Sequence, residues 1–245
     1  MILHTTICGE GVPLLLLHSG GMTGETEYDE QSAYFSQRNY KVIRPDLRGH
    51  GKSGRLSRDY FDYCAKDIIE TLDYLEIKTC HVAGVSLGGL TALIFANKFP
   101  ERVRSLTFTG IFPEKPLNWE AQLKEEEENL TSLSNDPEAV SYLNTIHVNN
   151  DWRALFKSWT APNWYPFHET NNVASLACPT LCIAGDGLSD EIEAAITFRK
   201  LNSNIQLAII PFANHLVHRE QPSLYTETLN LFLQEVDNSQ KRQSR

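Results

Sequence analysis

Residues 80–96 read CHVAGVSLGGLTALIFA: an apolar run, the pentapeptide Gly84–Gly88, and a second, helix-forming run. This order predicts a strand, a tight turn with Ser86 at its apex, and a helix. Small residues two positions away on each side let the chain pass through such a turn without collision. The helix N-terminus favours the negative charge that develops when a serine attacks a carbonyl. We therefore predict that Ser86 is a covalent nucleophile; the alternative is a chance Gly-x-Ser-x-Gly in a turn.

Apolar runs of strand length alternate with amphipathic segments along the rest of the chain. This alternation predicts an α/β fold with a mainly parallel sheet and helices on both faces. The predicted strands are Ile2–Ile7, Pro13–His18, Tyr40–Arg44, Cys80–Gly84, Val103–Thr109, Thr180–Ala184 and Ile205–Ile210. The predicted helices are Glu25–Arg38, Tyr60–Leu75, Leu87–Lys98, Glu191–Leu201 and Ser223–Glu235. The polar tail after Asp237 lacks periodicity, so we expect it to be frayed.

Residues 112–172 interrupt this alternation and predict an inserted helical cap, or lid. The core domain would then comprise residues 1–111 and 173–245. All four tryptophans of the chain lie in the insertion. They are candidate substrate-binding residues if the cap roofs an apolar pocket, and otherwise they form the small core of the cap. These tryptophans are Trp119, Trp152, Trp159 and Trp164.

Composition limits the possible partners. The chain has 245 residues, a formal net charge of -9 and a pI near 5.4, so its average field repels nucleic acid and anionic membranes. The apolar run 14–17 is far too short to span a bilayer, and we find no secretory signal pattern, so we expect a cytoplasmic protein. The five cysteines show no zinc-ligand spacing. We expect reduced core thiols, no bound metal and no cofactor.

Three further segments, together with Gly84–Gly88, resemble the α/β-hydrolase superfamily over almost the whole chain. Residues 14–21, LLLLHSGG, are similar to the strand and oxyanion loop of that family, with Ser19 where glycine is usual. The resemblance implies that the amides of Gly20 and Leu87 stabilise a tetrahedral oxyanion. Residues 44–53, RPDLRGHGKS, are similar to a scaffold turn of related esterases and enol-lactonases. We give Asp46, Arg48 and His50 in this turn no catalytic role.

The third segment, residues 211–222, PFANHLVHREQP, is similar to the family's catalytic-histidine loop. His215 occupies the position of the general base, and Asn214 replaces the glycine that usually precedes it. A serine hydroxyl needs such a base because it is a poor nucleophile at neutral pH. His218 is the local rival; we favour His215, which follows the strand directly, and expect His218 to contact solvent or the cap.

The acid of the triad is left open between two aspartates. The family normally places it at the position held here by Leu188, and residues 184–191, AGDGLSDE, offer Asp186 and Asp190 instead. We favour Asp190, because loops accommodate insertions more easily than strand ends accommodate a shifted side chain. The chain order of serine, acid and histidine agrees with the family.

The resemblance implies a cofactor-independent serine hydrolase that cleaves a small carboxylic ester or lactone through an acyl-enzyme. We expect a small-molecule substrate as the partner and a monomer or homodimer. A hydrolase-fold receptor with little turnover is the rival from another class. Thioesterase, carbon-carbon bond hydrolase and cofactor-free haloperoxidase activities are lesser alternatives.

Overall fold

A computed structural model describes residues 1–54, 60–148 and 150–243, and in these residues seven strands form one sheet in the order β1-β3-β2-β4-β5-β6-β7. Only β1 is antiparallel to its neighbour; every other neighbouring pair within the described residues is parallel. The predicted α/β class is therefore confirmed. The strands are β1 Thr5–Cys8, β2 Val12–Leu17, β3 Tyr40–Pro45, β4 Cys80–Val85, β5 Val103–Thr109, β6 Thr180–Gly185 and β7 Gln206–Ile210.

The sheet separates two apolar clusters, because successive side chains of a strand point to opposite faces. In β2, Leu15 and Leu17 belong to one cluster, and Leu14 and Leu16 to the other. Helices α2, α3 and α8 cover the first face, and α1 and α10 cover the second. These five helices are α1 Asp29–Ser36, α2 Tyr60–Tyr74, α3 Leu87–Lys98, α8 Ser189–Leu201 and α10 Pro222–Gln243.

The segment between β5 and β6 is helical, as the predicted insertion requires. It contains α4 Trp119–Asn135, α5 Pro137–Ile146, α6 Trp152–Ser158 and α7 Phe167–Thr170. A further four-residue helix, α9 Val217–Glu220, follows β7. The division of the chain into a core and a separate cap domain stays a prediction.

Two predicted helix boundaries are wrong. Helix α1 begins at Asp29 rather than Glu25, because Tyr28 has a φ of 66° and Glu27 turns inward to a buried position. The C-terminal helix does not end near Asp237 but continues to Gln243. Asp237 anchors it to the sheet, since its carboxylate accepts hydrogen bonds from Tyr40 (3.2 Å) and Arg104 (2.7 Å).

Three other observations bear on the expectations. The structure begins β1 at Thr5, three residues later than predicted. All five cysteines are free, and Cys64, Cys80 and Cys182 are buried. None of the helices in the described part of the chain is long and apolar enough to cross a membrane.

Candidate active site

Ser86 lies at the turn between β4 and α3, as predicted. Its φ of 53° and ψ of −119° are uncommon for a residue with a side chain and persist only where the surroundings fix them. Two backbone hydrogen bonds do so: the Ser86 amide donates to the carbonyl of Thr109 (2.8 Å), and the Ser86 carbonyl accepts from Leu90 (2.9 Å). The turn also needs a small residue at Gly88, where a Cβ would collide with the carbonyl oxygen of Leu17.

His215 lies in the loop after β7, and its ring is held from two sides. Its Nδ1 lies 2.5 Å from Oε1 of Glu191. The other neighbour is Gly110, which directly follows the Thr109 that binds the Ser86 amide; a Cβ on Gly110 would lie 2.7 Å from Cε1 of the imidazole. Because the carboxyl ends of parallel strands meet at one edge of a sheet, the loops after β4, β5 and β7 bring these groups together.

The carboxylate that contacts His215 belongs to Glu191, so the prediction that Asp190 or Asp186 does so is wrong. Asp190 points to the insertion instead, where Oδ2 accepts from Asn118 (2.6 Å) and Gln122 (3.1 Å). Asp186 is exposed at the end of β6. Glu191 reaches His215 because it is buried in the first turn of α8, facing the sheet.

One signal in the sequence could have identified Glu191. Residues at i, i+3, i+4 and i+7 lie on one face of a helix. Glu191 shares this spacing with Ala194, Ala195 and Phe198, and all four are buried. A glutamate on an otherwise apolar helix face is expected to direct its carboxylate into the protein, because that face packs against the core. The position implied by the family resemblance points to the nearby aspartates and not to Glu191.

The pairing with Glu191 fixes the protonation of the imidazole. A carboxylate oxygen accepts, so Nδ1 donates, and Nε2 is left to accept a proton. Burial alone would lower the pKa of His215, but the hydrogen bond and charge of Glu191, with the carboxylates of Glu126 and Glu220, raise it above 6.5. The arrangement therefore favours proton acceptance at Nε2.

Ser86 and His215 line one cavity of about 810 Å³. Gly20 and Leu87 line it as well. Leu87 is the first residue of α3, so its amide has no acceptor within the helix. Among the described residues, the Gly20 amide donates no hydrogen bond, while its carbonyl lies 2.8 Å from Nε2 of His50. Both predicted donors thus line the same cavity as Ser86, and their role in catalysis stays a prediction.

Aromatic side chains from the insertion form much of the cavity wall. Trp119, Trp159 and Trp164 line it. Trp152 is not among the lining residues: it is buried, its indole N–H donates to Asn144 (2.9 Å), and it packs on Phe156. Each of the two predicted placements therefore applies to some of the tryptophans. Trp119, Trp159 and Trp164 line the cavity, and Trp152 belongs to the core of the insertion. Polar lining residues at the cavity include Gln122, Glu125, Glu126, Asn129, Asp190 and Arg219.

The expectation for His218 is wrong. It is buried rather than exposed, and its Nε2 lies 3.0 Å from Oε1 of Glu27, which is also buried. Glu27 was not singled out in the sequence, because it belongs to a segment predicted to be an ordinary amphipathic helix.

The turn of residues 44–53 has the contacts of a scaffold. Asp46 accepts from the amides of Gly24 (2.9 Å) and Lys52 (2.9 Å). Arg48 forms a two-point ion pair with Asp67, with both distances 2.7 Å.

Two observations concern other sites. Within the described residues, no group of three His, Cys, Asp or Glu side chains is placed to hold a metal ion. A second cavity, of about 840 Å³, includes Tyr40, Arg104 and Asp237 among its lining residues. It contains neither Ser86 nor His215, so it is separate from the candidate active site.

Replacement of Gly110 by alanine should lower kcat about 100-fold, because a displacement of the base by about 1 Å has an effect of that order. Gly110 has a φ of 68°, and the added Cβ would push the imidazole of His215 away. Ester hydrolysis by the purified variant measures the change. Gly54→Ala is the matched control, since a Cβ there meets nothing within 4 Å. Equal rates for both variants would show that the contact with Gly110 does not place His215.

Comparison with known proteins identifies relatives of this chain. The model of a family described as "alpha/beta hydrolase fold" matches residues 12–132. Serine hydrolase BPHL of Mus musculus is 33% identical over 113 residues, which cover 44% of this chain and 39% of that protein. The 3-oxoadipate enol-lactonase 1 of Acinetobacter baylyi is 25% identical, with 93% of this chain and 91% of the lactonase covered. Several curated relatives are matched over only 26–40% of their own length.

Solved structures extend the likeness to the whole fold. A structure from a study of carboxylesterases of Nitrososphaera gargenis superimposes with a TM-score of 0.81, covering 96% of this chain and 95% of that one, at 17% sequence identity. At that identity the likeness concerns the fold alone. Together, the family match over residues 12–132, the strand order and the strained serine turn show that this chain has the alpha/beta-hydrolase fold.

Proposed function

We propose that the protein is a serine hydrolase that cleaves a small, partly apolar carboxylic ester or lactone. The observation that carries the proposal is the placement of Ser86, on its strained turn, in one cavity with His215, whose Nδ1 is bound by Glu191. This is the arrangement of nucleophile, base and orienting acid that serine hydrolysis needs. The likeness to a serine hydrolase and an enol-lactonase supports the same reaction class.

The reaction begins when Oγ of Ser86 attacks the substrate carbonyl carbon. Nε2 of His215 takes the hydroxyl proton as the new carbon-oxygen bond forms, and Glu191 stabilises the resulting imidazolium. The carbonyl oxygen becomes an oxyanion, to which the amides of Gly20 and Leu87 donate. When the tetrahedral intermediate collapses, the bond to the leaving alcohol breaks and His215 returns the proton to it.

Water completes the cycle. His215 takes a proton from a water molecule, whose oxygen attacks the acyl-enzyme carbonyl. The bond between the acyl carbon and Oγ then breaks, Ser86 regains its proton from His215, and the carboxylic acid leaves. In a lactone the leaving hydroxyl stays attached to the acyl chain, so one product results.

The walls of the cavity indicate the substrate class. Trp119, Trp159 and Trp164 contribute aromatic groups to the wall of the cavity that also contains Ser86. A volume of about 810 Å³ lies in the range of small-molecule pockets. We therefore propose a small substrate with an apolar portion beside its reacting carbonyl.

A fluorophosphonate probe and a substrate panel test the proposal. We expect the probe to label Ser86, as located by mass spectrometry of the digested protein, and to abolish hydrolysis of p-nitrophenyl butyrate. In a panel of short-chain esters, lactones and thioesters, the oxygen esters or lactones should give the highest kcat/KM. Preference for thioesters would favour that lesser alternative. Negligible turnover of every member, together with thermal stabilisation by one of them, would favour the receptor instead.

A further inference from the structure

A buried carboxylate lies directly behind the proposed oxyanion loop. Glu27 is 2% exposed, although an isolated buried carboxylate is strongly unfavourable. Its two oxygens are satisfied by three contacts: Oε2 accepts from the Ser19 amide (2.5 Å), Oε1 accepts from the Ser19 hydroxyl (3.1 Å), and Oε1 lies 3.0 Å from Nε2 of His218. Two of the three contacts go to the residue just before Gly20.

His218 is itself held in place. It is 1% exposed, and its ring packs against Tyr28 with centroids 4.7 Å apart. Its carbonyl accepts from Gln31 (3.1 Å), which also donates to Thr226 of α10 (3.1 Å). Glu27 therefore connects Ser19, through His218 and Gln31, to α1 and α10.

The contacts of Ser19 determine where the Gly20 amide points. The carbonyl of Ser19 and the N–H of Gly20 share one planar trans peptide group, so they point in opposite directions. That carbonyl accepts from Nδ1 of His18 (2.7 Å) and from the amide of Met22 (3.2 Å). Glu27 holds the same residue through its amide and hydroxyl. With both ends of Ser19 fixed, the orientation of the Gly20 N–H is fixed as well.

The ionisation of Glu27 suits this role. Burial raises the pKa of the Glu27 carboxyl, but the contact with His218, the hydrogen bond from the Ser19 amide and the nearby His18 lower it by more, so the net shift of the pKa is downward. A charged carboxylate forms shorter and stronger hydrogen bonds than a neutral amide. Glu27 thus remains an acceptor for both donor groups of Ser19.

We propose that Glu27, supported by His218, is a positioning residue that orients the Gly20 amide toward the oxyanion of the transition state. This inference rests on the proposed function, in which Gly20 is an oxyanion donor. Such donors act only if they are oriented before the charge develops. They interact more strongly with the transition state than with the substrate, so their misplacement lowers kcat rather than raising KM.

Glu27→Gln tests the inference. The amide side chain keeps the size of glutamate but removes the negative charge, so the charge-assisted hydrogen bonds from Ser19 and the electrostatic contact with His218 are weakened. We expect kcat for p-nitrophenyl butyrate to fall about 10- to 100-fold, up to the effect of losing one oxyanion donor, with KM within about twofold. A trifluoromethyl ketone, whose adduct with Ser86 carries an oxyanion, should lose affinity by a similar factor.

Two variants separate positioning from general stability. Ser19→Ala keeps the backbone amide that Glu27 binds and removes only the hydroxyl, so it should lose less activity than Glu27→Gln. If Glu27→Gln does not fold, as judged by thermal unfolding, His218→Gln replaces it, and kcat and ketone affinity should fall in parallel.

Folded Glu27→Gln with unchanged kcat and ketone affinity would overturn the inference, as would a rise in KM at constant kcat. Where His218→Gln is the variant measured, either of these results in that variant would overturn it too. Failure of the proposed function looks different: the wild-type protein itself would then show no Ser86-dependent turnover.

Discussion

Replacement of Glu191 by glutamine should lower kcat by about four orders of magnitude, the effect of the equivalent change in a serine protease triad. In the proposed mechanism the carboxylate keeps Nδ1 of His215 protonated, so that Nε2 accepts, and it stabilises the imidazolium formed during attack. Glutamine has nearly the same shape but carries no charge, and its N–H2 favours the wrong tautomer. Steady-state hydrolysis of a chromogenic ester measures the loss.

Asp190→Asn is the matched control, because it makes the same carboxylate-to-amide change one residue earlier. Asp190 accepts hydrogen bonds from Asn118 and Gln122 and makes none to His215. We expect this variant to retain kcat within about tenfold. A loss of about four orders of magnitude in Asp190→Asn but not in Glu191→Gln would restore the acid predicted from the sequence.

The pH dependence of kcat/KM provides a second measurement on the same pair. Only neutral His215 accepts a proton, so activity should rise with pH as the ring loses its proton. The raised pKa of His215 places the midpoint of this rise above 6.5. Glu191→Gln removes the largest raising influence, so the midpoint of its residual activity should move to lower pH. A midpoint that does not move would mean that another group controls the rise.

Ser86→Ala should lower kcat about 10⁶-fold, as loss of the nucleophile does in serine proteases. The backbone hydrogen bonds to Thr109 and Leu90 remain, so the variant should stay folded, and its thermal midpoint checks this. Ser189→Ala is a suitable control, since Ser189 also lines the cavity. We expect it to retain most of its activity, and comparable losses in both variants would exclude Ser86 as the single nucleophile.

The sequence was sufficient to predict the fold and the residues whose placement follows from a local pattern. The strand, turn and helix around Ser86 are of this kind. The apolar run favours the strand, the small residues permit the turn and the following run favours the helix, and each of these effects acts between residues that are close in sequence. His215 follows similarly from its position after the last strand. Gly20 and Leu87 line the same cavity as Ser86, and their role as oxyanion donors stays a prediction.

The acid could not be located in the same way. Its position depends on how a side chain on α8 reaches across to a loop more than twenty residues later, which is a tertiary contact. The sequence position implied by the family favoured an aspartate. In the structure, Glu191 lies on the buried face of α8 and contacts His215 instead. The Glu27–His218 pair was missed for a related reason, since its partners are 191 positions apart and each looks ordinary in its own segment.

Asp190 and Glu191 are consecutive residues that hold different parts of the molecule. The side chain of one is tied to the beginning of α4, and the side chain of the other is tied to the imidazole. Two adjacent residues at the start of α8 therefore hold the insertion above the cavity and the imidazole of His215 within it. Because the first turn of α8 carries both sets of contacts, a displacement of that turn would change the roof of the cavity and the position of the imidazole together.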